Sequence, residues 1–165
     1  MNILLTGGTG GIGKKLVNKL MSDGHIVRIL SRTPEKYKNA FYWDPLKNEI
    51  DQDSIVGIQV VIHLAGTPVM KQRWSKGYKS EIRRSRVDSA ILLYRTFFEQ
   101  ELAPEKFISS SAAGYYGLNA DEEKSESSPA GKDFLVFLEV GRQPAQYLPI
   151  HVPDCQPVCH HLSHI

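Results

Sequence analysis

Cysteine is almost missing from this chain. The two present, Cys155 and Cys159, fall in the last eleven of 165 residues, so no disulfide framework organises the rest. Long apolar runs are missing too. The longest, Val60 to Ala65, contains His63 and is far short of the ~20 residues that span a bilayer. Met1-Asn2 leads into three apolar residues before Thr6, whereas a secretory signal core needs roughly 7–15. The expected compartment is therefore the cytoplasm, with no membrane partner. Neither sign of charge dominates: 20 Lys and Arg against 18 Asp and Glu leave +2, too little to argue for nucleic acid. Basic residues gather from Lys71 to Arg86, but Glu81 interrupts them, and they read as a solvated helix face. The chain shows no internal repeat and no low-complexity tract.

What is present is a regular alternation of apolar periods. Asn2 to Leu5 reads as a buried strand that stops at a glycine cluster. From Gly11 to Ser22, Ile12, Leu16, Val17, Leu20 and Met21 mark an amphipathic helix, with Gly24 where a C-cap glycine belongs. His25 to Leu30 is a second β-branched run, and Pro34 ends it or opens the next helix. Phe41-Tyr42-Trp43 suggests a short strand with Asp44-Pro45 as its turn. Ile58 to Leu64 suits a strand covered on both faces. Ser75 caps an expected long helix through Glu101, with Ile82, Val87, Ile91, Leu92, Phe97 and Phe98 as its buried stripe. Pro104 separates it from a strand, Lys106 to Ser110, and the polar stretch Asn119 to Gly131 reads as a loop. Strand and helix in alternation predict an α/β fold, a Rossmann-like doubly wound parallel sheet. Trp43 and Trp74 read as packing residues.

The first glycines carry the chemistry. Thr6-Gly7-Gly8-Thr9-Gly10-Gly11-Ile12-Gly13 fits Gly-x-Gly-x-x-Gly through Gly8, Gly10 and Gly13, and also Gly7-x-x-Gly10-x-x-Gly13. One glycine permits the tight turn, one lets backbone approach a pyrophosphate, and one lets helix and strand pack closely. The helix that follows aims its free amides at the anion. Alone the motif is weak. Between a strand and an amphipathic helix, with a second strand at the right distance, it reads as a dinucleotide site. The alternative is a glycine loop used only for packing. The cofactor-binding residues expected here are Gly7, Thr9, Gly10, Gly11, Ile12 and Gly13.

The second strand ends at Ser31-Arg32, where an acidic side chain would hold the ribose 2′-hydroxyl of NAD. None is present. Arg32 instead suits the 2′-phosphate of NADP, so NADP is expected over NAD; the alternative is an arginine in solvent.

These residues resemble a known family. The glycine turn resembles that of extended short-chain dehydrogenases/reductases. Val61-Ile62-His63-Leu64-Ala65-Gly66 resembles the strand beside the cofactor's adenosine half, which adds Leu64, Ala65 and Gly66 to the expected cofactor site. Ile108-Ser109-Ser110-Ser111-Ala112-Ala113-Gly114-Tyr115-Tyr116-Gly117 resembles the catalytic-serine strand. Arg73-Trp74, Glu81-Ile82-Arg83-Arg84-Ser85-Arg86 and Ser128-Pro129-Ala130-Gly131-Lys132-Asp133-Phe134-Leu135 narrow the resemblance. They point to nucleoside-diphosphate-sugar-epimerase-like proteins of the NAD-dependent epimerase/dehydratase group. The resemblance implies hydride transfer at a carbon bearing a hydroxyl. In that superfamily a serine orients the substrate oxygen, and a tyrosine with a lysine four residues on moves the proton. Ser111 matches the serine. No Tyr-x-x-x-Lys follows it, and Tyr115 is the remaining candidate for a second catalytic residue.

The resemblance runs to about Leu135, which gives a dinucleotide-binding domain over 1–135 and an atypical, irregular tail over 136–165. Gly141 to Ile165 hold four prolines, both cysteines and four of the six histidines, without helix or strand period. In place of an expected Trp-Glu pair stands Val140-Gly141, whose codons yield Trp-Glu when shifted by one base. The tail therefore reads as out of frame, and the protein as truncated. Cys155, Cys159, His160, His161 and His164 match no trusted zinc spacing, so no metal is expected. A half-built parallel sheet leaves an edge strand exposed, so a homo-oligomer through that edge is expected. Three functions stay open. One is an NADP-dependent epimerase or oxidoreductase acting on a small-molecule substrate such as a nucleotide sugar. The others are a non-catalytic NADP-binding module and an inactive truncated product.

Overall fold

The computed structural model describes residues 1–110 and Ser128. Strand β1 (Asn2–Thr6), helix α1 (Gly11–Ser22) and strand β2 (Ile26–Ser31) open the chain. After a 3-10 turn at Pro34–Lys36 come β3 (Ala40–Asp44) and the two-residue β4 (Glu49–Ile50). A second 3-10 turn, Gln52–Ile55, leads to β5 (Val60–His63), α2 (Lys76–Glu99) and β6 (Lys106–Ser109).

The sheet order is β4-β3-β2-β1-β5-β6. β3, β2, β1, β5 and β6 pair in parallel. Among the described strands only β4 is antiparallel, folding back on β3 with Trp43 opposite Ile50. The sheet is therefore mixed rather than wholly parallel, because Asn48 takes a left-handed φ of 59° and closes a hairpin there. Asp44 Oδ1 accepts the Leu46 N–H at 3.1 Å inside that turn.

Side-chain alternation splits the core into two layers. Ile3, Leu5, Val27, Ile29, Val60 and Ile62 face α1 and meet Val17, Leu16 and Leu20. Leu4, Leu30, Val61 and Phe107 face the other way and meet Ala90, Leu93, Tyr94 and Phe97 of α2. The sheet is thus covered on both faces, with α1 and α2 on opposite sides. Two expected core residues of α1 are not in it: Ile12 is 65% and Met21 46% exposed. They sit in the end turns, beyond the reach of the sheet. In α2, Phe98 is likewise 50% exposed, and burial instead follows Ile82, Val87, Ala90, Leu93 and Phe97.

Helix ends follow the backbone chemistry. α1 closes with Gly24 N–H on Met21 O at 3.1 Å and His25 N–H on Leu20 O at 3.0 Å, and Gly24 supplies the φ of 83° that this ending requires. Ser75 Oγ accepts the Tyr78 N–H at 3.2 Å and starts α2. The crossover from β2 to β3 contains only the Pro34–Lys36 turn, where a helix is the usual device. Arg28 steadies the chain's return beneath the sheet: its Nη1 lies 2.9–3.0 Å from the carbonyls of Asp53, Ser54 and Val56.

Candidate functional site: a crevice at the strand ends

The parallel strands end on one side of the sheet. Thr6 pairs with both Leu30 and His63, and His63 with Ser109. Gly7, Ser31-Arg32, Leu64-Ala65 and Ser110 therefore line one rim. Connections leave β1 for β2 on one side and later fill β5 and β6 on the other. The rim between β1 and β5 is thus the switch point of the sheet, where doubly wound folds form a crevice.

The glycine turn is built for close approach. Gly7 has a φ of +73°, and a Cβ there would stand 2.9 Å from both Ala65 N and Leu64 C. At Gly13 a Cβ would stand 2.1 Å from the Gly7 carbonyl oxygen and 2.7 Å from Gly8 Cα, so helix and turn touch backbone to backbone. At Gly8 a Cβ would stand 2.9 Å from the Leu5 side chain and 3.0 Å from that of Ile29. Gly10 and Gly11 differ. A Cβ on Gly10 would meet only Gly7 O at 3.4 Å, and one on Gly11 nothing within 4 Å. Gly7, Gly8 and Gly13 hold the turn, and the exposed pair Gly10 and Gly11 leaves open space over it.

Around that space the backbone is unspent. Gly10 is the N-cap of α1, no side chain among the described residues caps the helix, and its first turn has no acid. Gly10 N–H goes to Gly7 O at 3.1 Å. Among the described residues no carbonyl accepts the N–H of Gly11, Ile12 or Gly13, as expected at an uncapped helix start. Aligned amides at the positive end of a helix dipole form an anion site. Thr9 lies half-buried in the same turn, and Ile12 is exposed beside it.

The other expected residues take their places along the rim. Ser31 Oγ accepts the Thr33 N–H at 3.1 Å and shapes the turn after β2. Arg32 follows, exposed and without an ion pair among the described residues. Leu64 N–H donates to Thr6 O at 3.2 Å, and Ala65 N–H to Thr6 Oγ1 at 3.1 Å, which ties the segment after β5 to the glycine turn. Gly66 is exposed, with the Arg86 guanidinium against its Cα. Ser111 and Tyr115 lie outside the described residues, as do the tail over 136–165 and its cysteines and histidines. Ser110, just before Ser111, donates its N–H to His63 O at 3.0 Å. Trp43 is buried in the α2 layer, and Trp74 packs on Tyr78 and Ile82, in accord with packing roles.

One polar group set was not singled out from the sequence. Thr6 Oγ1 lies 2.7 Å from His63 Nδ1, and His63 Nε2 lies 3.1 Å from Ser89 Oγ and 3.3 Å from Arg86 O. Ser89 Oγ–H donates to Ser85 O at 2.7 Å. The ends set the direction of the chain: an amide can only donate and a carbonyl only accept. Ala65 N–H therefore gives to Thr6, Thr6 O–H to His63 Nδ1, and His63 Nε2–H to Ser89 and Arg86. Burial lowers the His63 pKa from 6.5 to about 4, so the ring is neutral, as that pattern needs. The signal was available: Thr6 and His63 are polar residues at the ends of apolar strands, on the face shared with Leu4 and Val61. Arg86 was also misread. It is half-buried rather than part of a solvated face, because its Nη1 is drawn to Thr67 O at 3.0 Å and Ile82 O at 3.2 Å.

Strand order, two-sided covering and a glycine turn at the switch point define a Rossmann-type α/β fold of the dinucleotide-binding kind. The chain belongs to the NAD dependent epimerase/dehydratase family, whose model matches residues 3–133. It is 34% identical over 150 residues to an epimerase family protein of Mycobacterium leprae, covering 88% of this chain and 48% of that protein. It is 36% identical over 146 residues to the chloroplastic homolog of epimerase family protein SDR39U1 from Arabidopsis thaliana, covering 82% and 41%. The human SDR39U1 (isoform 2) structure with NADPH superposes with a TM-score of 0.71 at 29% identity, covering 84% of this chain and 46% of that one. The nucleoside-diphosphate sugar epimerase from Corynebacterium glutamicum gives 0.72 at 32% identity, covering 89% and 31%. The chain spans about half the length of the curated relatives it matches. Among the described residues no helix is long and apolar enough to cross a membrane.

Proposed function

We propose that this chain supplies the NADP-binding part of an NADP-dependent epimerase or oxidoreductase that acts on a hydroxyl-bearing carbon of a nucleotide sugar. The dinucleotide unit spans residues 1–135. The observation that carries the reading is the start of α1, which among the described residues is uncapped and leaves the amides of Gly11, Ile12 and Gly13 without an acceptor above the open faces of Gly10 and Gly11. A diphosphate fits that cradle: two open glycines admit it, and the amides answer its charge. Leu64 to Gly66 form the opposite lip. Arg32, at the end of β2, holds the 2′-phosphate. The human relative's structure with NADPH supports this choice of cofactor, and the Corynebacterium glutamicum sugar epimerase supports the substrate class.

A nicotinamide held by this cradle would supply the acceptor for a hydride from the substrate carbon. The residues of this chain orient and deprotonate: Ser111 holds the substrate oxygen, and Tyr115 serves as the proton-moving group. β6 is an edge among the described residues, with Ile108 exposed, and self-association of two copies runs along it. The absence of a Tyr-x-x-x-Lys pair after Ser111 favours a second reading, a binding module without turnover.

Fluorescence titration with NADPH and NADH tests the first reading. A charge-assisted contact to the 2′-phosphate predicts NADPH tighter by about tenfold to a hundredfold. Equal or tighter NADH binding removes Arg32 from the account, and no binding of either removes the function. Hydride turnover with nucleotide-sugar candidates separates an enzyme from a module that only binds.

A further inference from the structure

We propose that Ser89 of α2 and His63 of β5 are positioning residues for the dinucleotide crevice. Together they direct the Thr6 hydroxyl and, through it, seat the Leu64–Ala65 lip on the glycine turn. The inference rests on the cofactor reading for its setting and adds α2 to the parts that shape the site.

The contact to be positioned is close. A Cβ on Gly7 would stand 2.9 Å from Ala65 N, so turn and lip meet backbone to backbone. Thr6 joins them twice. Its carbonyl accepts the Leu64 N–H at 3.2 Å, and its Oγ1 accepts the Ala65 N–H at 3.1 Å. A hydroxyl that accepts an amide still has its own hydrogen to place, and His63 Nδ1 receives it at 2.7 Å.

The ring can receive that hydrogen in one tautomer only, and α2 selects it. His63 Nε2 faces Ser89 Oγ at 3.1 Å and Arg86 O at 3.3 Å. The Ser89 hydrogen is committed to its own helix, between the carbonyls of Ser85 at 2.7 Å and Arg86 at 3.0 Å. Ser89 therefore meets the ring with a lone pair, and Nε2 must carry the proton. The other tautomer sets a nitrogen lone pair against the Arg86 carbonyl and leaves the Thr6 hydroxyl without an acceptor. The remaining ring neighbours, Trp43 at 6.4 Å and Phe107 at 6.3 Å between centroids, pack edge-on and tilted.

Burial makes the choice strict. Thr6 and Ser89 are 0% and His63 1% exposed, so surface water does not replace a lost partner. Apolar packing holds strand and helix together without fixing a direction, whereas hydrogen bonds fix one. Three polar side chains beside the apolar layer of Leu4, Val61, Ala90 and Leu93 thus serve orientation rather than adhesion.

Two variants and a control test the assignment. Ser89→Ala removes the α2 acceptor and keeps the Thr6–His63 bond. His63→Phe keeps a ring and removes both bonds. Ile55→Val trims a buried side chain that takes no part in the chain of bonds. Nitrogen-detected spectra of the labelled chain read the tautomer, unfolding reads stability, and the probe is NADPH. The unaltered chain should show His63 protonated at Nε2 alone, and Ser89→Ala a mixture of tautomers. Both variants should weaken NADPH by about twofold to tenfold, the loss of one net hydrogen bond. Ile55→Val should lose stability and bind NADPH unchanged. An unaltered chain protonated at Nδ1 overturns the proposal whether or not the variants fold. So do folded variants that bind NADPH normally, or a control weakened as much as Ser89→Ala. An unaltered chain that ignores NADPH overturns the cofactor reading instead, and the tautomer response to Ser89→Ala then decides the α2 lock.

Discussion

The Thr6 hydroxyl lies 2.7 Å from His63 Nδ1, joining the ends of the two strands that flank the crevice. The same hydroxyl accepts the Ala65 N–H at 3.1 Å, so one oxygen fixes both the histidine tautomer and the distance between turn and lip. Thr6→Val keeps the shape and leaves the imidazole acceptor and an amide unsatisfied, which costs about 1–3 kcal/mol. Thr6→Ser keeps the oxygen and loses a methyl. Urea unfolding should rank Thr6→Val below Thr6→Ser, with NADPH affinity following the same order. Equal behaviour of the two variants contradicts the role of the hydroxyl.

His63 gives the fold a pH dependence of definite sign. The ring titrates near 6.5 when unfolded and about 4 when folded, because burial disfavours its charged form. The unfolded chain then binds more protons between those values. Its contribution is complete above about pH 6.5 and is lost as pH falls toward 4, with an upper limit of roughly 3 kcal/mol. Urea unfolding from pH 7.5 to 4.5 should show this slope, and His63→Asn should flatten it. An unchanged slope in that variant assigns the effect to other groups.

The glycines of the turn divide by function. Gly13→Ala places a methyl 2.1 Å from the Gly7 oxygen and should destabilise by more than about 3 kcal/mol. Gly11→Ala meets nothing and should leave stability unchanged or raise it by up to about 1 kcal/mol, while weakening NADPH. Calorimetric unfolding and a binding titration on each variant read the two effects apart. Weakened stability without weakened binding in Gly11→Ala contradicts the cradle.

Part of this was legible in the sequence. The first unit was, because its signals are local: apolar run, glycines, then Leu16, Val17 and Leu20 at helical spacing, closed by Gly24. The β4 hairpin was not, since it rests on two residues and a left-handed Asn48 rather than on a strong Asn-Gly turn. The Phe98 misplacement shows the limit of a single stripe for a helix laid across a sheet face. The contacts of Thr6 with His63, and of Arg86 with Gly66, join residues 57 and 20 positions apart in sequence. Periodicity carries no information about such pairs, although polar residues in apolar strands were their visible trace.

The end of α2 offers a stability test away from the crevice. Glu101 takes a φ of 52° while its N–H donates to Phe98 O at 3.0 Å, and Leu102 N–H reaches Phe97 O at 2.9 Å. This is the ending that Gly24 gives α1, made here with a residue that pays for the left-handed conformation. Glu101→Gly should stabilise by about 1 kcal/mol, read as a higher unfolding midpoint at unchanged denaturant slope. A lower midpoint contradicts the strain.

The cradle itself is tested most directly by amide chemical shifts during an NADPH titration of the isotope-labelled chain. The account predicts saturable shifts at Gly10, Gly11, Ile12 and Gly13, with Ala65 and Gly66 following at the same affinity. Saturable binding that leaves these amides unmoved, or no binding at all, contradicts it.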